Sequence, residues 1–412
     1  MTLTQSFQYR SKQLFCEDVS LQDIAQECGT PCYVYSKNAI LKNFQAFRQA
    51  FQDVNPLICY AVKANSNLSL LRLLMNEGSS FDVISAGELY RLEKIGAEPS
   101  RIIFGGVGKT NNELKTALEM PLFSITIESL QELQHLVILA KDRETHTNIS
   151  LRINPEVDAE THPYVATGFR QHKFGIDLIH LDKISQILKS TNQLRLIGIG
   201  FHIGSQILNI KPFMEAFLKL RAVADDLRNQ DFQISHLNLG GGIGIPYQNE
   251  QEINLNEYGR FLGKERQDYQ IIFEPGRFIV GNTGVLLSQV LHHKTNHNKN
   301  FIVVDGAMND LIRPSLYNAY HEILPLQKKE SRIEADVVGP VCETGDFFAQ
   351  NRQIPELQNG EYLALMNAGA YGFVASSNYN SRPRVSEIMV DKDQFQIVRQ
   401  REQLEDLVRG EH

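Results

Sequence analysis

Short apolar runs alternate with amphipathic segments through the first two thirds of the chain. The amphipathic segments repeat apolar residues every three or four positions, as α-helices do. Lys211–Arg228 is the clearest; others are Lys37–Phe51, Asn67–Asn76, Ala86–Ile95 and Ser129–Lys141. The apolar runs are Leu57–Val62, Phe81–Ile84, Ile102–Phe104, Ile125–Ile127, Ile149–Ile153, Leu196–Phe201, Leu237–Leu239 and Ile271–Phe273. Eight strand-and-helix repeats predict an α/β protein with a (β/α)8 TIM barrel, whose parallel strands are buried on both faces.

The pattern changes after about residue 280. Strand-like runs are now separated by Gly, Pro and Asn instead of helices, which predicts an all-β domain, a sandwich or barrel. These runs are Val285–Leu291, Phe301–Val304, Ala335–Val338, Tyr362–Met366, Val385–Val390 and Phe395–Val398. The polar stretch His292–Asn300 is expected to form a surface turn. Thr30–Tyr35 reads as a strand that joins this domain, so the predicted division is 1–35, 36–280 and 281–412.

Composition and charge narrow the class of protein. The 412 residues are 42 % apolar and 22 % charged, with a net charge of −7, so a nucleic-acid or anionic-membrane partner is disfavoured. No segment has the character of a signal peptide or a membrane helix. Five cysteines are too few and too scattered for a disulfide framework, and we expect a cytoplasmic protein. Neither the pair Cys28 and Cys32 nor the histidines at 292, 293 and 297 have further ligands spaced with them, so no metal site is expected.

Active sites of such barrels lie at the carboxyl ends of the strands, so the residues there are the candidates. Lys63 follows the first strand and is either a solvated surface charge or a desolvated amine able to form a Schiff base. Arg152 stands inside the fifth apolar run, where a buried guanidinium needs a partner. His202 follows the sixth strand. A lone histidine there is usually structural, but Gly204 and Ser205 follow within three residues.

The last two strands are followed by groups suited to an anion. Gly240–Gly244 holds four glycines in five positions, which lets backbone N–H groups converge, although the spacing is not that of a dinucleotide fingerprint. Phosphate sites in barrels commonly use the loops after strands seven and eight, so Gly276 and Arg277 complement this loop. Glu274 would stand in an apolar strand, where a carboxylate needs a cationic partner. Lysine, histidine, glycine loop and glutamate together fit one ligand, pyridoxal phosphate.

Motifs along nearly the whole chain strengthen this hypothesis. In order they are Tyr60–Asn65, Phe81–Ser85, Arg152–Pro155, His202–Gln206, Gly240–Gly244, Glu274–Arg277, Asp305–Asp310, Arg313–Pro314, Leu316–Tyr317, Cys342–Asp346 and Gly369–Gly372. With these motifs the sequence resembles the fold-type III (alanine-racemase-like) pyridoxal-phosphate decarboxylases, and among them the diaminopimelate decarboxylase family. Thr344 and Ile243 are conservative departures from the family pattern.

The resemblance implies roles for individual residues. Lys63 is the lysine that binds the cofactor covalently, Glu274 is the partner of its pyridinium, and His202 stacks on its ring. The other cofactor-binding positions implied are Asp82, Arg152, Ser205, Gly241, Gly242, Gly276, Arg277 and Tyr371. The implied substrate-binding positions are Arg277, Arg313, Tyr317, Glu343 and Tyr371.

Cys342 matches a cysteine that protonates the product in this family, although by itself it could equally be a small buried apolar residue. In the family, Cys342 and Glu343 come from the second subunit, so the resemblance implies a homodimer with shared active sites. The loop His162–Gly168, together with Lys173–Gly175, lies where the family has an active-site flap; a plain long loop is the alternative.

The resemblance therefore implies removal of CO2 from the D-centre of meso-2,6-diaminopimelate to give L-lysine, the last step of lysine biosynthesis. An arginine can hold the carboxylate at the substrate's far end and Glu343 its ammonium group. Alternatives are a decarboxylase of carboxynorspermidine, ornithine, arginine or a secondary-metabolite substrate, an alanine racemase, and a non-catalytic regulatory homologue. A racemase would lack the Cys342–Glu343 pair, and a regulatory homologue could lose Lys63 or Cys342.

Overall fold

The computed structural model describes residues 6–141, 146–158 and 173–412. They fall into two compact units. The β unit comprises the residues up to Asn43, Ile245–Gln251 and Arg277–His412. The barrel unit comprises Phe44–Gly244 and Glu252–Gly276.

The chain begins with elements that precede the barrel strands. They are β1 (Phe7–Arg10), β2 (Gln13–Cys16), β3 (Val19–Ser20), α1 (Leu21–Cys28), β4 (Cys32–Ser36) and α2 (Lys37–Ala50). Strands β1, β2 and β3 form a small antiparallel sheet that the sequence analysis did not predict. Its strands are two to four residues long, and so short a run carries little periodicity.

Eight parallel strands then close into the predicted barrel, and the TIM-barrel prediction is confirmed. They are β5 (Leu57–Ala61), β6 (Ser80–Val83), β7 (Ile102–Phe104), β8 (Ser124–Ile127), β9 (Thr147–Arg152), β10 (Leu194–Gly200), β11 (His236–Asn238) and β12 (Gln270–Phe273). Each corresponds to one of the eight apolar runs. Closure pairs β12 with β5, so every strand has two neighbours and no edge is left open.

Seven further α-helices lie between these strands in the described residues. They are α3 (Leu68–Asn76), α4 (Ala86–Ile95), α5 (Asn111–Glu119), α6 (Leu130–Ala140), α7 (Leu181–Lys189), α8 (Lys211–Asn229) and α9 (Leu255–Glu265). The helices α4, α5 and α6 are capped by the residues just before them, Ser85, Thr110 and Ser129, whose hydroxyls accept a hydrogen bond from a backbone N–H of the first turn. These caps fix where each helix starts after its strand.

The remainder of the chain completes the β unit, to which β1–β4 also belong. Its elements are α10 (Arg277–Val280), β13 (Gly284–Asn296), β14 (Lys299–Val304), α11 (Arg313–Tyr317), β15 (Ile323–Pro325), β16 (Arg332–Val338), β17 (Phe347–Pro355), β18 (Tyr362–Leu365), β19 (Ser386–Asp391), β20 (Gln394–Arg399) and α12 (Leu404–Leu407). The main sheet runs β17-β16-β14-β13-β4-β19-β20, with β18 also on β13 and β15 on β18. The predicted strand at Thr30–Tyr35 is confirmed as β4, which pairs with β13 and β19.

This sheet differs from the prediction in three features, one of which is the short strand β15, which was not predicted. His292–Asn300 is not a plain surface turn, because β13 continues to Asn296 and β14 begins at Lys299, forming a hairpin. Its side chains from His292 to Asn298 are exposed, so no apolar alternation marked the strand. Strand β17 was missed for the same reason, since its centre is polar and largely exposed. The described residues contain no cluster of three metal ligands and no helix long and apolar enough to cross a membrane.

Candidate active site

The barrel places five of the predicted residues at or just after the carboxyl ends of strands. Because all eight strands are parallel, these ends surround the same mouth of the barrel. Lys63 follows β5, Asp82 lies on β6, Arg152 ends β9, His202 follows β10 and Glu274 follows β12. Residues far apart in the chain are thereby brought to one site.

Lys63 lies on a turn, Val62–Ala64, that ends the first barrel strand. Its Nζ is 3.3 Å from Oδ2 of Asp82, a buried carboxyl of the neighbouring strand. Burial raises the pKa of Asp82, and the charge of Lys63 opposes this rise. About a third of the Lys63 side chain is exposed. The amine is thus neither fully solvated nor fully desolvated, and it remains within reach of a small molecule.

Glu274 is held by a residue that the sequence analysis missed. Asn238, the last residue of β11, donates from Nδ2 to Glu274 Oε1 at 2.6 Å and accepts from the Gly240 N–H at 2.9 Å. Burial raises the pKa of the Glu274 carboxyl to about 7, and the nearby Asp82 adds to the rise. The charges of Lys63 and Arg152 offset only part of it. One more nearby cation would therefore stabilise the charged form of the Glu274 carboxylate.

His202 has a defined protonation state in this setting. Its Nδ1 accepts a hydrogen bond from the Gly241 N–H at 3.2 Å, so the proton of the neutral ring is assigned to Nε2. Burial, followed by the charges of Lys63 and Arg152, holds the pKa of His202 well below 6.5. A neutral imidazole adds no positive charge and presents a flat ring at the barrel mouth.

Three successive glycines bring the loops after β10, β11 and β12 into contact. A Cβ on Gly240 would lie 2.4 Å from the Phe201 carbonyl oxygen, and φ there is +63°. A Cβ on Gly241 would lie 2.3 Å from the Glu274 carbonyl oxygen, and one on Gly242 2.4 Å from that of Gly204. Close backbone packing thus requires each glycine, whatever the loop binds. The same packing fixes the backbone around His202 and Glu274.

Arg152 finds its partner in Glu128, another residue that the sequence analysis did not single out. The Arg152 Nη1 lies 3.0 and 3.2 Å from the two carboxylate oxygens of the buried Glu128. The Gly175 N–H donates to the same carboxylate at 3.2 Å, and the guanidinium carbon is 4.8 Å from the centre of the Phe174 ring. A buried pair of this kind holds Arg152 at the barrel mouth without leaving an uncompensated charge.

Of the remaining predicted residues in the barrel unit, Ser205 is partly buried in the loop after β10 and Gly276 is buried in the loop after β12. The predicted flap segment His162–Gly168 lies outside the described residues. Its neighbours Lys173–Gly175 are described, and Phe174 and Gly175 contact the Arg152–Glu128 pair.

The other predicted residues lie in the β unit, where two arginines are buried. Arg277 Nη1 donates to the Tyr247 hydroxyl at 2.8 Å. Its guanidinium carbon is 5.0 Å from the centre of the Tyr371 ring, and Tyr371 adopts a φ of +57°, rare for a bulky side chain. Arg313 Nη1 is 3.0 Å from His321 Nε2. Tyr317, partly buried at the end of α11, also raises the pKa of Arg277, after Tyr247 and Tyr371.

Cys342 and Glu343 form an exposed tip between β16 and β17, so the alternative that Cys342 is a buried apolar residue is wrong. Three hydrogen bonds hold the tip in place. Asp346 accepts from the Val341 N–H at 2.7 Å, Asn380 accepts from the Cys342 N–H at 3.0 Å, and the Tyr379 hydroxyl donates to Glu343 at 2.9 Å. A thiol and a carboxylate are therefore presented outward on a fixed backbone.

The donor set at the barrel mouth fits pyridoxal phosphate. The Lys63 amine suits its aldehyde, and a protonated pyridine supplies the cation that the raised pKa of Glu274 calls for. The neutral ring of His202 suits a ring face. This donor set, on a closed (β/α)8 barrel, defines the class of protein: pyridoxal-phosphate-dependent enzymes built on a barrel.

Comparison with known proteins narrows the class. Residues 37–281 match the model of the pyridoxal-binding domain of pyridoxal-dependent decarboxylases. The chain is 46 % identical to diaminopimelate decarboxylases of Aquifex aeolicus, over 97 % of this chain and 96 % of that one, and of Vibrio cholerae, over 96 % and 95 %. It superposes on the Helicobacter pylori enzyme complexed with L-lysine with a TM-score of 0.91 at 40 % identity, covering 94 % of this chain and 98 % of that one. The chain belongs to the diaminopimelate decarboxylase family and requires pyridoxal phosphate.

Proposed function

We propose that this protein removes CO2 from the D-centre of meso-2,6-diaminopimelate and releases L-lysine, the last step of lysine biosynthesis. Family membership supports the reaction type, and the relative from Helicobacter pylori was solved with L-lysine bound. The observation that supports this substrate is the environment of Arg313. It is buried, and within the described part of the chain its guanidinium forms no ion pair with a carboxylate. A substrate carboxylate would supply the missing anion.

The proposed roles follow from the residues. When bound, pyridoxal phosphate withdraws electrons from the bond between the substrate Cα and its carboxylate. Lys63 holds the cofactor through its amine, Glu274 keeps the proton on the ring nitrogen, and His202 covers the ring face. As the carboxylate leaves as CO2, its bonding electron pair stays on Cα and takes the proton of the Cys342 thiol. Arg277, Arg313 and Glu343 bind the amino-acid group at the far end, with Tyr317 and Tyr371 beside them.

The experiment that tests this function measures CO2 release from five amino acids: meso-diaminopimelate, LL-diaminopimelate, ornithine, arginine and carboxynorspermidine. The protein is purified with its cofactor. Release from the meso isomer alone, with L-lysine as the product, is expected. Release only from another of the five would overturn the substrate and keep the reaction type. No release from any of them, with the cofactor bound, would favour a racemase or a regulatory protein.

We further propose that the protein is cytoplasmic and that its domain boundaries follow residues 35 and 280. The five cysteines are all unpaired, as expected in a reducing compartment, and three of them are buried. The family model begins and ends within one residue of the proposed barrel domain, 36–280.

We also propose that the protein is a homodimer in which the tip at Cys342 and Glu343 completes the active site of the partner subunit. The support is that both side chains are exposed although the proposed chemistry needs them next to a substrate that is shielded from water. The backbone of the tip is fixed by Asp346 and Asn380, which suits a group presented to another subunit.

Mixing two inactive variants tests the dimer. Lys63→Ala and Cys342→Ala subunits are each expected to be inactive, but a mixed dimer would contain one site with both native residues. Random reassortment should restore about a quarter of the native activity, because half of the dimers are mixed and half of their sites are intact. Measurement of CO2 release before and after the variants are mixed checks this. If activity stays at the level of the separate variants, the sites are not shared.

A further inference from the structure

Tyr247 connects the two buried arginines of the β unit. It follows the glycine-rich loop, within the short segment Ile245–Gln251 that belongs to this unit. Its hydroxyl accepts a hydrogen bond from Arg277 Nη1 at 2.8 Å. The guanidinium carbon of Arg313 lies 4.9 Å from the centre of the Tyr247 ring. All three side chains are at least nine-tenths buried. One phenol therefore contacts both cations.

A neutral histidine also holds Arg313. His321 Nδ1 donates to the Met366 carbonyl oxygen at 2.7 Å, which leaves a lone pair on Nε2 for Arg313 Nη1 at 3.0 Å. The His321 ring also packs edge-on against Tyr247, with 5.7 Å between the ring centres. Burial, and then the charge of Arg313, holds the pKa of His321 well below 6.5. Arg313 thus contacts both His321 and Tyr247, two aromatic side chains that also pack against each other.

Arg277 and Arg313 are both positively charged and contact the same buried side chain, so they repel each other. Favourable contacts must offset this repulsion. The Tyr247 oxygen is an acceptor for one and its ring face attracts the other. Burial alone would raise the pKa of Tyr247, but Arg277 and Arg313 more than offset this, so its pKa lies below 10. Tyr247 therefore has the geometry and the charge environment of a bridge between the two cations.

We propose that Tyr247 is a positioning residue that holds Arg277 and Arg313 in the arrangement in which they together bind the far carboxylate of the substrate. This inference rests on the proposed function, in which the two arginines bind that carboxylate. Tyr247 does not itself need to contact the substrate. It sets the two donors before the substrate arrives, and this reduces the ordering that binding would otherwise require.

The test compares two substitutions that each remove one buried hydroxyl. Tyr247→Phe keeps the ring and loses the acceptor for Arg277. Tyr258→Phe is the matched control, because the Tyr258 hydroxyl is buried in the barrel unit and has no hydrogen-bond partner among the described residues. For Tyr247→Phe the KM for meso-diaminopimelate should rise about 10- to 100-fold, the range for a hydrogen bond to a charged group. The kcat should change less than about threefold, because far-end binding acts on ground and transition states alike. Tyr258→Phe should leave both constants unchanged.

A spectroscopic titration tests the contact without any substrate. In native protein one tyrosine should ionise at lower pH than the others, seen as tyrosinate absorption in the near ultraviolet. Tyr247→Phe should remove that component and Tyr258→Phe should not.

Failure of the inference can be distinguished from failure of the proposed function. If native protein does not act on meso-diaminopimelate, the function fails, and the titration still decides whether Tyr247 lies under the influence of both arginines. If native protein is active but Tyr247→Phe has an unchanged KM, the positioning role is overturned. Equal losses in kcat and 1/KM, together with a lower melting temperature, would show a merely structural role and would also overturn it.

Discussion

Replacing Lys63 with alanine is expected to lower kcat/KM for CO2 release by at least about 10⁴-fold, because the amine is proposed to hold the cofactor covalently. Among the lysines described in the barrel unit, Lys63 alone has its amine paired with a buried carboxylate at the end of β5 or β6, that of Asp82. Covalently bound cofactor should disappear with the activity. CO2 release and the mass of the borohydride-reduced protein measure the two effects.

Lys115→Ala is the matched control, since Lys115 is an exposed lysine on α5 of the same unit. It should retain native activity and the bound cofactor. Adding a small primary amine to Lys63→Ala should restore a fraction of the rate, which shows that the variant still folds and binds substrate. Activity within tenfold of native protein in Lys63→Ala would contradict the proposed role.

The barrel could be predicted from the sequence because each strand is a short apolar run with a polar, helical segment after it. For the strand Ile102–Phe104 the predicted and the observed bounds are identical. The β unit was harder. Strand β17 passes through the polar residues Gln350–Gln353, and the end of β13 is exposed on both faces. Where a strand has no buried face, the chain carries no alternation to find.

The site residues divide in a similar way. Lys63, His202 and Glu274 could be proposed because each follows an apolar strand and has a reactive side chain. Glu128 and Asn238 could not, because what makes them important is a partner that lies 24 residues away in one case and 36 in the other. Tyr247 adjoins the glycine-rich loop in sequence, yet its partners come from segments that follow much later. Local sequence identifies reactive groups better than the residues that position them.

The charged groups at the barrel mouth are expected to lower the folding stability of the protein when the cofactor is absent. Asp82 and Glu274 are both carboxyl groups with raised pKa values, and burial is the main cause in each. Lys63 and Arg152 offset only part of this, and Arg152 already pairs with Glu128. A site prepared for a cationic ring thus holds excess negative charge when empty. Function and stability oppose each other here, as is common where a buried charge awaits its ligand.

Glu274→Gln should therefore separate the two properties. In the cofactor-loaded enzyme we expect CO2 release to fall by about 10²- to 10⁴-fold, since a neutral amide does not keep the ring nitrogen protonated. In the cofactor-free protein the same substitution should be stabilising at high pH. The pKa of Glu274 is raised from 4.5 to about 7 on folding, so the native state binds the extra proton between these values. Its contribution to stability is present below the lower value and is lost as the pH rises through the upper one.

The melting temperatures of the cofactor-free native protein and Glu274→Gln should thus differ most at pH 8, with the variant higher, and least near pH 5. The amide can still accept the hydrogen bond from Asn238 through its oxygen, so packing is preserved. Glu252→Gln, at an exposed site in the same unit, serves as the control and should show no such pH dependence. If Glu274→Gln were less stable than native protein at pH 8, the carboxylate would be compensated in the empty site. The site would then not depend on the cofactor for its missing cation.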